Sequence, residues 1–483
     1  MSFDPVIERH QSVATSSKRI GSSPPASYTT FGQNGSSVST NVDNSNNESD
    51  PLILNAARRE VARHAALSPN LAMVNLFKAL FGIGILGLPK AMQYAGLYEG
   101  LILLILVGSL ATYTIWELVY AAQHFGAQML GAEPSGALDY ANVMRQAALT
   151  SGPWWLKPHG RAVKLTTNTF IIANGFGNCC AYIVFMGETL EQVFGTLTPL
   201  NKASWMAIIL IPLIPMAMVK HLRALSPFTA ACTIAYFAAI LIIIQHLITG
   251  QRQSTTVVPS FAGIANLPMF FGTVFFAFEL INVVIPIENC VTDPSFFRAW
   301  NGPLVTSNVV CICVYAAVAY YGYLLAGDQV KDSIALNLPG DQWIYDLANV
   351  FLVVAIFGTY VLEFYPGIER IEKWLSRRPF RDDPVKCRVA CYVTRLALVI
   401  GSFTIAECVP HLNLIMALQG AATVTIMVCI FPPLAYIWTL QAQGWPITWY
   451  NLLLQILIMI FGIGVFVTGI QSALREIFSG ASD

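Results

Sequence analysis

Residues 71–98 read LAMVNLFKALFGIGILGLPKAMQYAGLY, an apolar stretch long enough to cross a bilayer, since about 20 apolar residues span roughly 30 Å of hydrocarbon. Three glycines and a proline interrupt its middle, at Gly82, Gly84, Gly87 and Pro89. Glycine lowers helix propensity and proline removes a backbone donor, so the stretch predicts a membrane helix broken into two halves near Gly82. The backbone groups freed at such a break must face protein or a water-filled cavity. The alternative is a continuous helix whose glycines serve helix packing.

The composition of the chain is that of an integral membrane protein. Of its 483 residues, 55% are hydrophobic and 11% are charged, whereas soluble domains carry about 25% charged residues. The formal net charge is zero, which gives no indication of nucleic acid binding. The sequence predicts an all-α integral membrane protein with eleven transmembrane helices. The spans lie at about residues 71–97, 99–123, 165–192, 203–219, 225–249, 268–289, 303–326, 343–367, 388–409, 412–438 and 446–472.

The distribution of Lys and Arg predicts the orientation in the membrane. With the N-terminus in the cytosol, the cytosolic loops carry most of the basic residues, above all the segment 370–388. The opposite side carries Lys202, Arg252, Lys331 and Arg475. Positively charged loops stay in the cytosol. The N-terminus is therefore expected to be cytosolic and, with an odd number of spans, the C-terminus extracytosolic.

Three segments follow from this division. Residues 1–65 are rich in Ser, Asn, Thr and Gly, which predicts a disordered cytosolic tail. Residues 66–472 form the eleven-helix domain, and residues 473–483 a short extracytosolic C-terminal tail. In the N-terminal tail, Glu48–Ile53 has the pattern of an acidic dileucine sorting signal and Tyr28–Phe31 that of a tyrosine-based one. They predict sorting adaptors as partners and a lysosomal or endosomal membrane, with the plasma membrane as the alternative.

The sixth span, residues 268–289, reads PMFFGTVFFAFELINVVIPIEN and contains Glu279 near its middle. A carboxylate at mid-depth in a bilayer is costly and marks a functional site by default; the alternative is a carboxyl group that bonds to a neighbouring helix. Pro286 follows Glu279 by seven residues, as Pro89 follows Gly82. The first and sixth spans are thus both predicted to be broken, within an inverted repeat of five plus five helices. Such repeats bind substrate at mid-membrane, between the broken helices.

The two breaks suit a substrate that carries both charges. The N-terminus of the second half-helix, near Ile85, offers free amides and the positive end of a helix dipole to a carboxylate. Carbonyl groups freed at Gly82 and near Phe276 can accept hydrogen bonds from an ammonium group. Substrate is therefore predicted to bind at the breaks and the third span. The residues concerned are Gly82, Ile83, Gly84, Ile85, Phe275, Phe276, Phe278, Asn178 and Tyr182.

Other polar side chains lie within the predicted spans. Asn174, Asn178 and Tyr182 are spaced four apart on one face of the third span. This spacing favours the lining of a cavity, with hydrogen bonding between helices as the alternative. Glu279 is the first candidate for carrying a proton, and Glu363 in the eighth span is the second.

Four other titratable side chains are not assigned to the predicted site. Glu117, Glu188 and Glu191 lie near span ends and are expected at the membrane interface. His411 is expected to be an ordinary turn residue, although its position would also suit a pH sensor. The sequence has no GxxxxGK[ST] phosphate loop, no HExxH zinc pair and no GxSxG elbow. We expect no enzyme activity, no cofactor and no bound metal.

Several longer motifs resemble one family, the eukaryotic proton-coupled amino acid transporters. These belong to the amino acid/auxin permease group of the amino acid–polyamine–organocation superfamily. The motifs are similar to the first and sixth helices of the family, to the loop after the seventh, and to the ninth and tenth helices. In chain order they are Phe81–Pro89, Gln93–Gly96, Phe271–Asn289, Asp328–Pro339, Val409–Leu414 and Phe431–Pro433. The resemblance implies eleven helices in a five-plus-five inverted repeat, and symport of small neutral amino acids, usually with protons.

Two positions depart from the family pattern. Asn75 stands where family members have a histidine tied to proton coupling, and an amide does not titrate. Any proton carrier must therefore lie elsewhere, with Glu279 first. Leu280 stands where glycine often follows the glutamate of the sixth helix, which should narrow the pocket.

The sequence as a whole predicts a secondary active symporter of small neutral amino acids. It would work by alternating access around a site at mid-membrane. Protons are the expected coupling ion, with sodium as the alternative. The rival hypotheses are an amino-acid-sensing receptor with little flux and a passive channel.

Overall fold

The computed structural model describes residues 67–129, 138–195, 197–219, 222–250, 258–340, 342–377, 383–409 and 411–480. These residues are mostly helical, and this part of the chain contains no β-strand. They belong to one compact unit, Asn55–Asp483. The predicted N-terminal tail, with its two sorting patterns, lies outside the described residues.

The described residues form seventeen α-helices, numbered here in chain order. The first seven are α1 (Pro69–Leu80), α2 (Gly84–Ala95), α3 (Leu97–Met129), α4 (Tyr140–Ser151), α5 (Gly160–Phe194), α6 (Lys202–Met218) and α7 (Leu222–Thr249). The next five are α8 (Leu267–Ala277), α9 (Ile281–Glu288), α10 (Pro294–Phe297), α11 (Pro303–Ala326) and α12 (Trp343–Arg377). The last five are α13 (Pro384–Cys408), α14 (Leu412–Gln419), α15 (Thr425–Cys429), α16 (Phe431–Ala442) and α17 (Trp449–Gly480). A π-helical turn covers Gly420–Val424, and 3₁₀ turns cover Lys157–His159, Ile264–Asn266, Gly327–Gln329 and Ile334–Asn337.

The long helices have the length and apolarity of membrane spans. Among the described residues, nine helices qualify, and there are ten if the bent pair α1 and α2 crosses as one span. The shorter apolar helix α6 coincides with the predicted fourth span. The all-α membrane architecture is thus confirmed, while the count of eleven and the five-plus-five repeat remain predictions. Residues 473–480, assigned from the sequence to a C-terminal tail, continue α17.

Local sequence explains where several helices begin. The side chain of Ser68 caps α1, and Pro69 occupies its first turn. Asn201 caps α6 in the same way, and Asp383 caps α13 ahead of Pro384. Each cap satisfies a backbone amide that the first helical turn leaves unpaired. Proline fits the first turn because it has no amide hydrogen to satisfy.

The first span is broken where its glycines predict the break. α1 ends at Leu80 and α2 begins at Gly84, and the two helices are bent by 54°. Glycine is required at position 84, because a Cβ there would lie 2.6 Å from the Cα of Ala277 on α8. A Cβ on Gly82 would have no neighbouring heavy atom within 4 Å. The break therefore seats α2 directly against α8 and leaves Gly82 beside open space.

The sixth span is also broken. α8 ends at Ala277 and α9 begins at Ile281, so residues 278–280 are not helical. The break precedes Pro286, which lies inside α9. Glu279 therefore lies within the second break and not in a helix. Both breaks that the sequence predicts are present.

The broken spans are packed among several others. α2 packs against α8 and α11, and α8 also packs against α14, the π-helical turn and α17. α12 packs along α5 and α7, and α5 contacts α14. This packing brings polar side chains of α5, α12 and α14 to the second break.

Candidate functional site

Tyrosine hydroxyl groups contact backbone carbonyl groups at the two helix breaks. The hydroxyl of Tyr236 on α7 donates to the Gly82 carbonyl at 2.9 Å. The hydroxyl of Tyr315 on α11 lies 2.5 Å from the Leu80 carbonyl and 3.1 Å from the Ala277 carbonyl, one at each break. Both tyrosines are buried. A carbonyl oxygen has two lone pairs, so the Gly82 carbonyl retains a second position for an ammonium group.

Glu279, in the second break, accepts hydrogen bonds from three amide side chains. Asn174 on α5 and Asn282 on α9 both donate to Oε1, the latter at 3.0 Å. Asn178 on α5 donates to Oε2 at 3.0 Å. The polar face of α5 is therefore turned towards the second break, where it forms hydrogen bonds to Glu279; its lining of a cavity remains a prediction.

Asn178 connects Glu279 to a second carboxylate. Its Nδ2 also donates to Oε2 of Glu363 on α12 at 3.2 Å, so one nitrogen lies within hydrogen-bond distance of both acids. Both acids are half-buried, and in the described part of the chain neither forms an ion pair. Two negative charges this close repel strongly where the dielectric is low. The arrangement is suited to hold a proton.

A further set of polar groups orients the asparagines. Gln419, at the end of α14, donates to the backbone carbonyl of Asn174 at 3.0 Å and to the side-chain oxygen of Asn178. Because the oxygen of Asn178 is engaged in this way, its NH₂ group faces the carboxylates. Thr423, in the π-helical turn, lies 2.8 Å from Oδ1 of Asn174. Gly177 leaves room for the side chain of Gln419, since a Cβ at position 177 would lie 2.6 Å from Oε1 of Gln419.

The predicted substrate residues of the first break lie at the start of α2. Ile83, Gly84 and Ile85 are buried, and Gly84 contacts Ala277 at the second break. The N-cap residue, Ile83, has no side chain that could bond the first amides of α2. Such amides are left to a ligand or to water. Binding of a substrate carboxylate here remains a prediction.

The aromatic residues of the predicted site occupy contacts between helices. Phe275 packs against α17, with ring centroids 6.2 Å apart, and Phe278 packs against Tyr315, with ring centroids 5.0 Å apart. Phe276 and Tyr182 are also buried. The structure therefore groups Asn178, Glu279 and Glu363 in one cluster, whereas these rings lie in the surrounding packing. Their contact with substrate remains a prediction.

Several side chains of this site are absent from the sequence prediction. Each is a polar residue inside an apolar span, which is the signal that singles out the third span. Polar residues within a span mark contacts inside the protein, but the helices that meet there are set by the packing. The residues concerned are Tyr236, Asn282, Tyr315, Gln419 and Thr423.

Glu117, which its position near a span end predicts at the membrane interface, is enclosed within the protein. It is buried in α3 and accepts a hydrogen bond from Gln455 of α17. The side chain of Glu117 thus connects α3 to α17, and its placement at the membrane interface stays a prediction.

Comparison with known proteins identifies the class of protein. A family model described as transmembrane amino acid transporter protein matches residues 66–474, which is most of the chain. The chain belongs to this family, whose members are transporters and not enzymes. The resemblance to the amino acid/auxin permease group is thus confirmed.

Individual relatives cover similar lengths. The chain is 27% identical over 429 residues to the proton-coupled amino acid transporter-like protein pathetic of Drosophila melanogaster, which covers 86% of each chain. It is 23% identical over 441 residues to the probable amino acid transporter skat-1 of Caenorhabditis elegans, covering 86% of this chain and 91% of that one. Among solved structures it is similar to Mhp1 in its inward-facing conformation, with a TM-score of 0.48 and 11% identity, covering 87% of this chain and 92% of that one. A second is MhsT in complex with L-phenylalanine, with a TM-score of 0.44 and 11% identity, covering 83% of this chain and 98% of that one.

Proposed function

We propose that the chain is a secondary active symporter that carries small neutral amino acids together with protons. Membership of the family supports an amino acid as the substrate, and the name of the Drosophila relative supports the proton. The observation that carries the proposal is the bridge that Asn178 forms between Glu279 and Glu363, beside two broken helices.

The substrate is assigned to the two breaks. Its carboxylate would accept hydrogen bonds from the first amides of α2, at Gly84 and Ile85, where the helix dipole favours a negative charge. Its ammonium group would donate to the carbonyl of Gly82 and to a carbonyl near Phe276. No charged side chain is needed to bind a zwitterion in this way. The side chains of Phe275, Phe278 and Tyr182 are proposed to limit the size of the substrate, together with Ile83 and Asn178.

The proton is assigned to the two acids. Glu279 lies in a break, so its carboxylate can shift when the half-helices move, and we make it the first carrier. Glu363 shares the nitrogen of Asn178 and is the second. Proton release on one side and uptake on the other then accompanies alternating access around the breaks.

Transport by purified protein in proteoliposomes tests the proposal. A panel of amino acids is offered while pH and sodium gradients are varied independently. Accumulation under an inward proton gradient without sodium supports proton symport, and accumulation only with sodium identifies sodium as the coupling ion. Binding without flux would identify a receptor, and flux without accumulation would identify a channel. If no amino acid binds or moves under either gradient, the assignment fails.

The orientation and the location are proposed from the sequence alone. The basic loops support a cytosolic N-terminus and an extracytosolic C-terminus. The two tail patterns support a lysosomal or endosomal membrane over the plasma membrane. Protease protection of terminal epitope tags in sealed vesicles tests the first point, and imaging after replacement of Leu52 and Ile53 by Ala tests the second.

A further inference from the structure

Charged side chains meet at the end of the protein that is predicted to be extracytosolic. His411 directly precedes α14, and Asp332 lies in the loop after α11. The His411 Nδ1 and the Asp332 Oδ2 are 3.5 Å apart. Lys202, at the start of α6, lies 3.6 Å from Glu188 near the end of α5. Four different elements therefore contribute charges to one cluster.

The loop that carries Asp332 is fastened to α2, the second half of the first broken span. The ammonium group of Lys90 donates to the Val330 carbonyl at 3.3 Å. The side chain of Gln93 donates to the Asp328 carbonyl at 3.0 Å. The loop therefore lies over the end of α2 that is remote from the break.

The same loop covers the contact between α2 and α14. A Cβ on Gly87 would lie 2.4 Å from Cε of Met416 and 3.7 Å from the Asp332 carbonyl oxygen. Met416 is fully buried there. The pair between His411 and Asp332 thus ties the start of α14 to the loop directly above Met416. Parting of this pair would open a way from the extracytosolic side towards Met416.

The charges around His411 favour its protonated form. The hydrogen bond to Asp332 raises the pKa of His411 above its ordinary value of about 6.5, and Glu188 acts in the same direction. Lys202 and the partial burial of the ring oppose this shift. From α17, Glu476 also faces His411, and Lys90 of α2 faces Glu476. A raised pKa means that the pair is fully formed below the ordinary value and is lost as the pH rises through the raised one.

We propose that His411 and Asp332 form a second proton site, which holds the extracytosolic entrance closed when His411 is protonated. The proposal rests on the proposed transport function, because it assigns an entrance to the site between the breaks. A proton arriving from the extracytosolic side would strengthen the contact between α14 and the loop. It would thereby favour the state that follows substrate entry, in which the entrance is shut.

The accessibility of position 416 tests the proposal without any need for transport. The variant Met416→Cys is reconstituted in liposomes, and a membrane-impermeant maleimide is added on the extracytosolic side. The pH is varied from about 5.5 to about 8.5, because histidine titrates in this range. Labelling of the introduced cysteine is quantified by mass spectrometry. The reaction of the maleimide itself depends on pH, and labelling of the exposed Cys408 in the same sample corrects for this. The same measurement is made with His411→Gln and with Asp332→Asn added. His159→Gln, at an exposed histidine of the opposite end, is the matched control.

We expect the corrected labelling rate to be about two- to fivefold lower at pH 5.5 than at pH 8.5. This factor corresponds to the free energy that a partly exposed ion pair contributes. His411→Gln and Asp332→Asn should each abolish this dependence by speeding the labelling at acidic pH, and His159→Gln should retain it. Labelling that stays slower in acid in both pair variants would overturn the proposal, as would its loss in His159→Gln. Because no substrate is present, failure here leaves the transport assay free to succeed, and failure of transport leaves this measurement valid.

Discussion

Replacement of Glu279 by Gln tests the proposed proton site most directly. The substitution keeps the size of the side chain but removes its charge and presents one NH₂ group in place of an accepting oxygen. Asn174 and Asn282 donate to one oxygen and Asn178 to the other, so a glutamine can accept the bonds of only one side. One hydrogen bond to a charged group is worth about 1.5–3 kcal/mol. We expect the variant to fold, because the bond between Asn178 and Glu363 remains.

Glu279→Gln is expected to lose the coupling of transport to the proton gradient, but not the movement of substrate itself. A pH difference of one unit can drive about tenfold accumulation per proton carried, since one pH unit and a tenfold concentration ratio both correspond to about 1.4 kcal/mol. In proteoliposomes with an inward proton gradient, the wild type should accumulate its amino acid in proportion to the gradient. Glu279→Gln should exchange labelled for unlabelled substrate but accumulate none.

The chain offers a matched control for this experiment. Glu117 is another buried membrane carboxyl group, but it lies between α3 and α17 and bonds to Gln455. Glu117→Gln should therefore keep the accumulation of the wild type. Accumulation in Glu279→Gln that still follows the pH gradient would refute the assignment of Glu279 as the first carrier.

Two further substitutions test one contact of this site and one buried ion pair elsewhere in the fold. Asn178→Leu removes the donor between Glu279 and Glu363. Uptake near neutral pH should fall about tenfold or more, because the free energy of one hydrogen bond to a charged group corresponds to at least this factor. Acid should restore part of the uptake, since a protonated acid can donate to its neighbour; an equal loss at all pH values would contradict this. Arg395, which is buried, donates to both oxygens of Glu372 and to two carbonyls at the end of α6. Arg395→Ala should cost about 3 kcal/mol of stability, seen as a lower melting temperature in detergent, and an unchanged melting temperature would show that these bonds are not needed.

The sequence was sufficient to predict the helical membrane architecture and both breaks. Long apolar runs identify spans by their length alone, and glycines within such a run weaken the helix locally. Gly84 illustrates how local and tertiary causes coincide, because the position that weakens the helix is also the one where a Cβ would collide with Ala277. Glu279 was identifiable because an ionisable residue at mid-span is rare.

The partners of Glu279 could not be deduced in the same way. Asn174 is 105 residues away from it in the chain, and Gln419 is 245 residues from Asn174. The four-residue spacing on α5 indicates a polar face but not what it meets. Glu117 illustrates the same limit, because its position near a span end does not reveal its contact with Gln455 of α17. Such contacts depend on how the helices cross, and a single sequence does not contain that information in a local pattern.

The placement of the two acids suggests how a proton could affect the conformation. α2 packs on α3, α8 and α11, while α5, α6, α12 and α13 form a second set of mutually packed helices, with α7 packed on α12. Glu279 belongs to the break next to the first set, whereas Asn178 and Glu363 belong to the second. The hydrogen bonds of Glu279 to α5 therefore cross from one set to the other. Protonation turns a charged acceptor into a neutral one, which lowers the value of each such bond from about 1.5–3 to about 0.5–1.5 kcal/mol. A proton on Glu279 would thus loosen the two sets from each other at the depth where the breaks allow movement. This would link proton binding to the proposed alternating access although Asn75 replaces the histidine of the family's first helix.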